Sequence, residues 1–299
     1  MEVLKYRKSI ESEVGCRICS SENIVLYRIE NGLRMMKCCN CKLIFTDQSQ
    51  LQDYNSEFNW WDDLGTVNEK EVYRQSAYKP FMVYVLEKIL PKLIHRDNLK
   101  GLDIGCGAGT FLKVLHNAEV KAYGLDSSKS IISKITQEGF ADVRGQLLTD
   151  ELYEDNFFDM ITLWNVLEHV PNPEEIIRLC YKKLNDGGIL FVKVPNIAFH
   201  GPFSKIFKTD LFPNVHLFNF SVKSINILFN KSGFKLKTAE YLFDTKTEIV
   251  ERFYSSENLF KSRILITVKH AYAIFTKILF YCSMKSWNYS PTINVIITK

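Results

Sequence analysis

The sequence predicts an α/β protein: a doubly wound, mostly parallel sheet with a small cysteine-rich module in front of it. Three observations carry this. Residues 99–104 form a short apolar run holding one acid, Asp103, and lead into a turn with Gly105, Gly107 and Gly109 at alternate positions. Beyond the turn, Phe111, Leu112, Val114 and Leu115 fall on one helical face. Strand, glycine turn and helix make the first unit of such a sheet. Residues 120–126 and 159–164 read as further strands, the former ending on Asp126. Finally, Cys16 and Cys19 form one Cys-x-x-Cys pair, and Cys38 and Cys41 form a second.

At 299 residues the chain can hold one large domain, or a core plus an appendage. Its 46% hydrophobic and 24% charged residues are ordinary for a globular protein. A net charge of +4 is too small to argue for nucleic acid. The first eight residues are charged throughout and no apolar core follows, so no export signal is expected. Eight cysteines without such a signal point to a reducing, cytoplasmic setting and to metal rather than disulfides.

Residues 1–50 read as a metal-stapled module. Each Cys-x-x-Cys turns two thiolates towards one tetrahedral ion, so Cys16, Cys19, Cys38 and Cys41 match a four-cysteine zinc set. Between the pairs, residues 23–30 and 33–37 flank Asn31-Gly32, a hairpin signal. Residues 42–45 read as a third strand, which makes a zinc ribbon. Cys39 is the odd thiol; the x-x spacing favours Cys38 as ligand. Four thiolates leave no open position, so the zinc is structural, and its binding supplies most of so small a module's folding energy.

Residues 51–97 read as a linker and a covering helix. Tyr54, Phe58, Trp60 and Trp61 either roof a site or anchor the linker on the main domain. Residues 68–95 turn helical, with Val72, Tyr73, Tyr84, Val85, Ile89 and Leu90 as candidate buried positions, Pro80 as a division and Pro91 near the end. Residues 98–299 read as the main domain. It has a helix over 128–138, a strand over 140–144, and a loop from 196 that opens a lid insertion over 197–220. Ser221 caps a helix over 222–231, a strand over 234–243 follows, and the last strand covers 292–299.

The spacing Gly105-x-Gly107-x-Gly109, led by Asp103, departs from the dinucleotide fingerprint, whose third glycine would fall at Thr110. It resembles the first motif of class I S-adenosylmethionine-dependent methyltransferases. Residues 156–173 resemble that family's fourth strand and following loop, and residues 184–195 its fifth strand. The resemblance covers about residues 98–196. It implies a Rossmann-like seven-stranded sheet whose seventh strand runs antiparallel beside the fifth. It implies S-adenosylmethionine as cofactor, cradled at Asp103, Gly105, Gly107 and Gly109, with Asp126 on the ribose diol and Asn165 facing the methionine part. The family's adenine-binding acid after strand three is either absent here or replaced by Gln146, whose amide can still hydrogen-bond adenine. Similar quinone-pathway methyltransferases hold a divalent ion with an acid–histidine pair matching Glu168-His169, and use a further acid where this chain has Asn165. His216 to Ser221 resembles the helix entry of small-molecule members.

The function expected is methyl transfer to a small-molecule acceptor, such as a sugar nucleotide, glycan or lipid-linked precursor. Base candidates are His216, His169 and His200, because an imidazole titrates near working pH without large tuning. Two alternatives stand beside it. One is methylation of RNA or another macromolecule gripped by the ribbon; the other is a non-catalytic cofactor-binding partner protein. Residues 257–286 are apolar runs broken by lysines and an arginine, with six Lys/Arg against one acid over 257–299. They read either as an amphipathic helix packed on the sheet or as a peripheral membrane contact.

Overall fold

The computed structural model describes residues 15–47, 69–135, 139–207, 211, 216–242 and 292–299. The linker aromatics and the 257–286 segment lie outside them.

The N-terminal hairpin forms as its turn residues dictate. Strand β1 (Ile24–Glu30) pairs antiparallel with β2 (Leu33–Cys38), and Asn31 and Gly32 take the positive φ values that a two-residue hairpin turn needs. Strand β3 (Ile44–Thr46) pairs with β2.

Helix α1 (Glu69–Ile89) runs through Pro80 rather than dividing there. Proline removes one helical hydrogen bond, but the turns that follow are held by Phe81, Met82, Val85, Leu86 and Ile89, buried in one cluster with Phe111, Leu112 and Leu115. That face excludes Tyr84, which is 40% exposed, contrary to expectation. Residues 90–92, with Pro91, form a single 3₁₀ turn.

The main sheet then unfolds in chain order: β4 (Lys100–Ile104), α2 (Thr110–Asn117), β5 (Lys121–Leu125), α3 (Lys129–Ile135), β6 (Asp142–Arg144), β7 (Phe158–Trp164), α4 (Pro173–Lys183) and β8 (Leu184–Pro195). Strand β7 is buried on both faces, as a central parallel strand is. After β8 come α5 (Ile197–Phe207), β9 (Phe218–Asn219), α6 (Val222–Lys231), β10 (Glu240–Leu242) and β11 (Thr292–Thr298). The seven-stranded order is β10-β11-β8-β7-β4-β5-β6, with β11 antiparallel to both neighbours. The expected seven-stranded α/β fold with its antiparallel last strand is therefore present.

Two local expectations fail. The stretch after Asn196 is helical, not a loop, because Asn196 caps it: its side chain accepts from Ala198 N at 3.1 Å and its carbonyl from His200 N at 3.0 Å. The strand expected over 234–243 shrinks to β10, because buried Phe234 packs on Tyr181 and a 3₁₀ turn at Leu236–Thr238 follows. Ser221 caps α6 as expected, in a reciprocal capping box with Ser224.

Strand β9 does not join the main sheet. It pairs antiparallel with β3, so the N-terminal sheet has four strands, β1-β2-β3-β9. One core cluster runs from Cys16, Met36, Cys41 and Phe45 through Phe218 and Phe220 to Leu163 and Val192 of the main sheet.

Candidate active site

The glycine turn closes on the end of β5. Gly105 N and Cys106 N both donate to Leu125 O, at 2.7 and 3.0 Å. Gly105, Gly107 and Gly109 have φ of 70°, 49° and 74°, where a side chain is strained. At Gly105 space also forbids one: an added Cβ would stand 2.3 Å from Val166 Cγ2. Asp126, just past β5, accepts from Gly107 N through Oδ2 and from Ser128 N through Oδ1, both at 2.9 Å. Each carboxylate oxygen has a second acceptor direction, so the group can tie the turn and still take a diol. Asp103 is buried beneath, accepting from Thr162 Oγ1 at 2.7 Å. Burial pushes its carboxyl up to about 8, and the Thr162 bond only partly opposes that. Gln146 lies exposed at a bend after β6. This turn of bare backbone, with the Asp126 carboxylate at its side, suits a ligand that carries a diol.

At the end of β7 the chain turns sharply. Asn165 sits at φ 57°, a conformation asparagine tolerates better than most residues, and its N–H donates to Lys193 O at 2.9 Å. Its Nδ2 donates to Glu168 Oε1 at 3.2 Å. Glu168 is 1% exposed, and its Oε2 meets no hydrogen-bond partner among the described residues. Burial pushes this carboxyl up to about 7. The rings of His169 and His216 meet edge to face with centroids 4.9 Å apart. Glu168, His169 and His216 each offer a ligand atom within 4.8 Å of the others. The fold thus brings Asn165, His169 and His216 together from residues 51 positions apart at the extremes. His200 stands outside this cluster, half-buried on α5 against Phe199.

Three neighbours left little trace in the sequence. Thr162 holds Asp103, Val166 underlies Gly105, and the Trp164 ring packs at a tilt between Phe191 and Phe111, with centroids 4.4 and 5.2 Å away. The only signal for Thr162 was a hydroxyl among the apolar residues 160–164; Val166 and Trp164 gave none.

The four thiols Cys16, Cys19, Cys38 and Cys41 offer sulfurs within 4.8 Å of one another, with Cys16–Cys41 and Cys19–Cys38 each at 3.5 Å. A tetrahedron with Zn–S bonds of about 2.3 Å has sulfurs roughly 3.8 Å apart, so the set fits zinc. The Cys41 thiol holds Cys16 down to about 5, while the same contact pushes Cys41 up. Cys39 is not in the cluster.

A sheet of this order with a glycine cradle at the end of its first strand defines the class I S-adenosylmethionine-dependent methyltransferase fold. A family model described as a methyltransferase domain matches residues 73–239, more than half of the chain, and the chain belongs to that family. Among curated relatives, a ubiquinone biosynthesis O-methyltransferase of Pseudomonas entomophila is 29% identical over 150 residues. One of Pseudomonas putida (strain W619) is 30% identical over 150 residues. Each match covers 46% of this chain and spans 58% of the relative's own length. A S-adenosylmethionine-dependent methyltransferase from Archaeoglobus fulgidus matches the fold with a TM-score of 0.50 at 16% identity, over 78% of this chain and all of that one.

Proposed function

We propose that the chain transfers the methyl group of S-adenosylmethionine to a hydroxyl of a small-molecule acceptor, with structural zinc in the ribbon. The observation that carries the reading is the Glu168–His169–His216 group beside the glycine cradle. The name of the curated relatives, O-methyltransferases, supports an oxygen acceptor.

Bound S-adenosylmethionine supplies a methyl already activated on a sulfonium. The chain's own residues do the rest. The Gly105–Gly109 turn admits the methionine and ribose part against bare backbone, Asp126 accepts from the ribose diol, and Asn165 faces the methionine end. His216 takes the proton of the acceptor hydroxyl, with His169 beside it as the second candidate. A positioned base of this kind contributes about 10²–10⁴ in rate. Glu168 stabilises the imidazolium that forms.

The test is incubation with labelled S-adenosylmethionine and a metabolite extract, with labelled products identified by mass. With the acceptor in hand, His216→Ala is expected to cost about 10²–10⁴ in rate while S-adenosylhomocysteine binds nearly unchanged. A folded His216→Ala variant with full activity removes His216 from the mechanism. A second reading rests on the same three residues: one carboxylate and two imidazoles suit a divalent cation, and the buried, unpartnered Glu168 Oε2 favours it. Loss of turnover on chelation, restored by Mg²⁺, Mn²⁺ or Zn²⁺ with His216→Ala unresponsive, selects that reading.

A further inference from the structure

The cysteine module is bonded to the segment that carries His216 at 216–219 and again at Ser221, while Phe220 O accepts from Ile197 N of the main domain at 2.8 Å. Thr46 N donates to Leu217 O at 3.0 Å, and Thr46 Oγ1 donates to His216 O at 3.4 Å. Phe45 pairs with Phe218 and Ile44 with Asn219. Ser221 Oγ donates to the carbonyl of Cys41 at 2.6 Å while also capping α6. Lys223 Nζ donates to Asn40 O, one residue earlier in the same knuckle, at 2.8 Å. On its other side the segment touches the catalytic loop through Phe218 N, which donates to Glu168 O at 3.2 Å. Residues 217–221 and Thr46 are all buried. A two-residue strand has too few hydrogen bonds to hold itself. Apart from the single contacts Phe218 and Phe220 make with Glu168 and Ile197, its position depends on the strand and knuckle it leans on, and the knuckle's Cys41 is one of the four clustered thiols.

We propose that the metal-loaded ribbon is a clamp that seats His216 beside Glu168 and His169, with Thr46 and Ser221 as its positioning residues. The ribbon then completes the acceptor side of the site and leaves the cofactor cradle independent of it. This extends the role given to His216 above, but its test reads position rather than turnover. It can therefore succeed or fail separately from the assignment of His216 as the base.

The experiment uses the full chain, zinc-loaded, then stripped by dialysis against a chelator, then refilled with zinc. Hydrogen exchange of peptides and the resonances of ¹⁵N-labelled imidazoles are followed, with S-adenosylhomocysteine binding measured on each sample. Stripping is expected to speed exchange about tenfold or more across 216–225 as well as 16–46, with 99–126 and 158–164 unchanged. The His216 and His169 signals move, those of exposed His95 and His116 stay, and the Cys16→Ser/Cys19→Ser variant, which leaves both histidines intact, shows the same shift without a chelator; unmoved signals in that variant overturn the clamp. Cofactor-product affinity stays within about threefold, because the cradle keeps its protection. Ser221→Ala is expected to displace the His216 signal with the zinc still bound, and Ser221→Thr, which keeps the hydroxyl, to restore it. Faster exchange confined to 16–46 with the His216 signal fixed overturns the clamp. So does a collapse that takes 99–126 with it, since the ribbon would then be a general stabiliser.

Discussion

Gly105→Ala is the sharpest probe of the cradle, because two independent costs can be separated. The first is conformational. At φ 70° an alanine sits in the left-handed region, which costs roughly 1–2 kcal/mol. The second is steric. The new methyl would stand 2.3 Å from Val166 Cγ2, where carbon atoms at rest keep about 3.5–4.0 Å. Val166 or the turn must move by more than an ångström, and overpacking of that size costs about 1–3 kcal/mol. The sum, about 2–5 kcal/mol, lowers the melting temperature by roughly 4–20 °C for a domain of this size. The same displacement moves the Gly107 N–H that ties Asp126, so S-adenosylhomocysteine affinity falls as well. Val166→Ala in the same chain removes the steric part alone. The double variant should recover about 1–3 kcal/mol, leaving the conformational part in place. Urea unfolding of the four proteins gives the cycle, and calorimetry gives the affinities. A Gly105→Ala protein as stable as the parent, or a Val166→Ala change that recovers nothing, refutes the reasoning.

Further expectations concern the two acids and the thiols. Asp126→Ala is expected to weaken S-adenosylhomocysteine binding by about 1.5–3 kcal/mol, the scale of a hydrogen bond to a charged group, as read by calorimetry. NAD is expected not to bind, and tight NAD binding with no response to S-adenosylhomocysteine would sink the cofactor assignment. Asp103 is expected to make the ligand-free protein less stable as pH rises. Its folded value of about 8 exceeds its ordinary value of 3.8, so between these the folded state keeps a proton the unfolded chain has lost. That contribution is fully present below about pH 4 and falls by up to about 1.4 kcal/mol per pH unit through pH 8. Asp103→Asn should flatten this slope in melts at a series of pH values, and parallel curves for both proteins would count against it. Purified protein is expected to carry one zinc per chain, absent from the Cys16→Ser/Cys19→Ser variant and retained by Cys39→Ser; metal analysis of the three proteins checks this, and equal zinc in the double variant would refute the ligand set.

The main sheet was legible in the sequence because its signals are local. A buried parallel strand is a continuous apolar run, and a turn that must take positive φ three times in five residues selects glycine at each. Both facts sit within a dozen residues of Asp103. The hairpin at Asn31-Gly32 and the cap at Ser221 were legible for the same reason. The helix after Asn196 was signalled locally too, by an asparagine cap that the reading passed over. The buried face of α1 was legible in part: Val85 and Ile89 are buried as expected, but which of Phe81 and Tyr84 goes inward depends on where α2 lies.

The acceptor side of the site belongs to tertiary structure. Asn165 and Glu168 are three residues apart and could be paired by eye, but His216 reaches them only because β9 leaves the main sheet and pairs with β3. A two-residue strand carries almost no pattern of its own, and its partner lies more than 170 positions earlier in the chain. Thr46 gave no sign of touching His216, since a hydrogen bond between distant residues leaves no periodicity in either. The sequence by itself determined the cradle and the thiol set, because backbone conformation and ligand spacing are written residue by residue, while the order of the sheet came only with the family resemblance. Only the tertiary structure decided that ribbon and catalytic loop share one segment, because that contact exists only once two separately encoded sheets have closed over a common core.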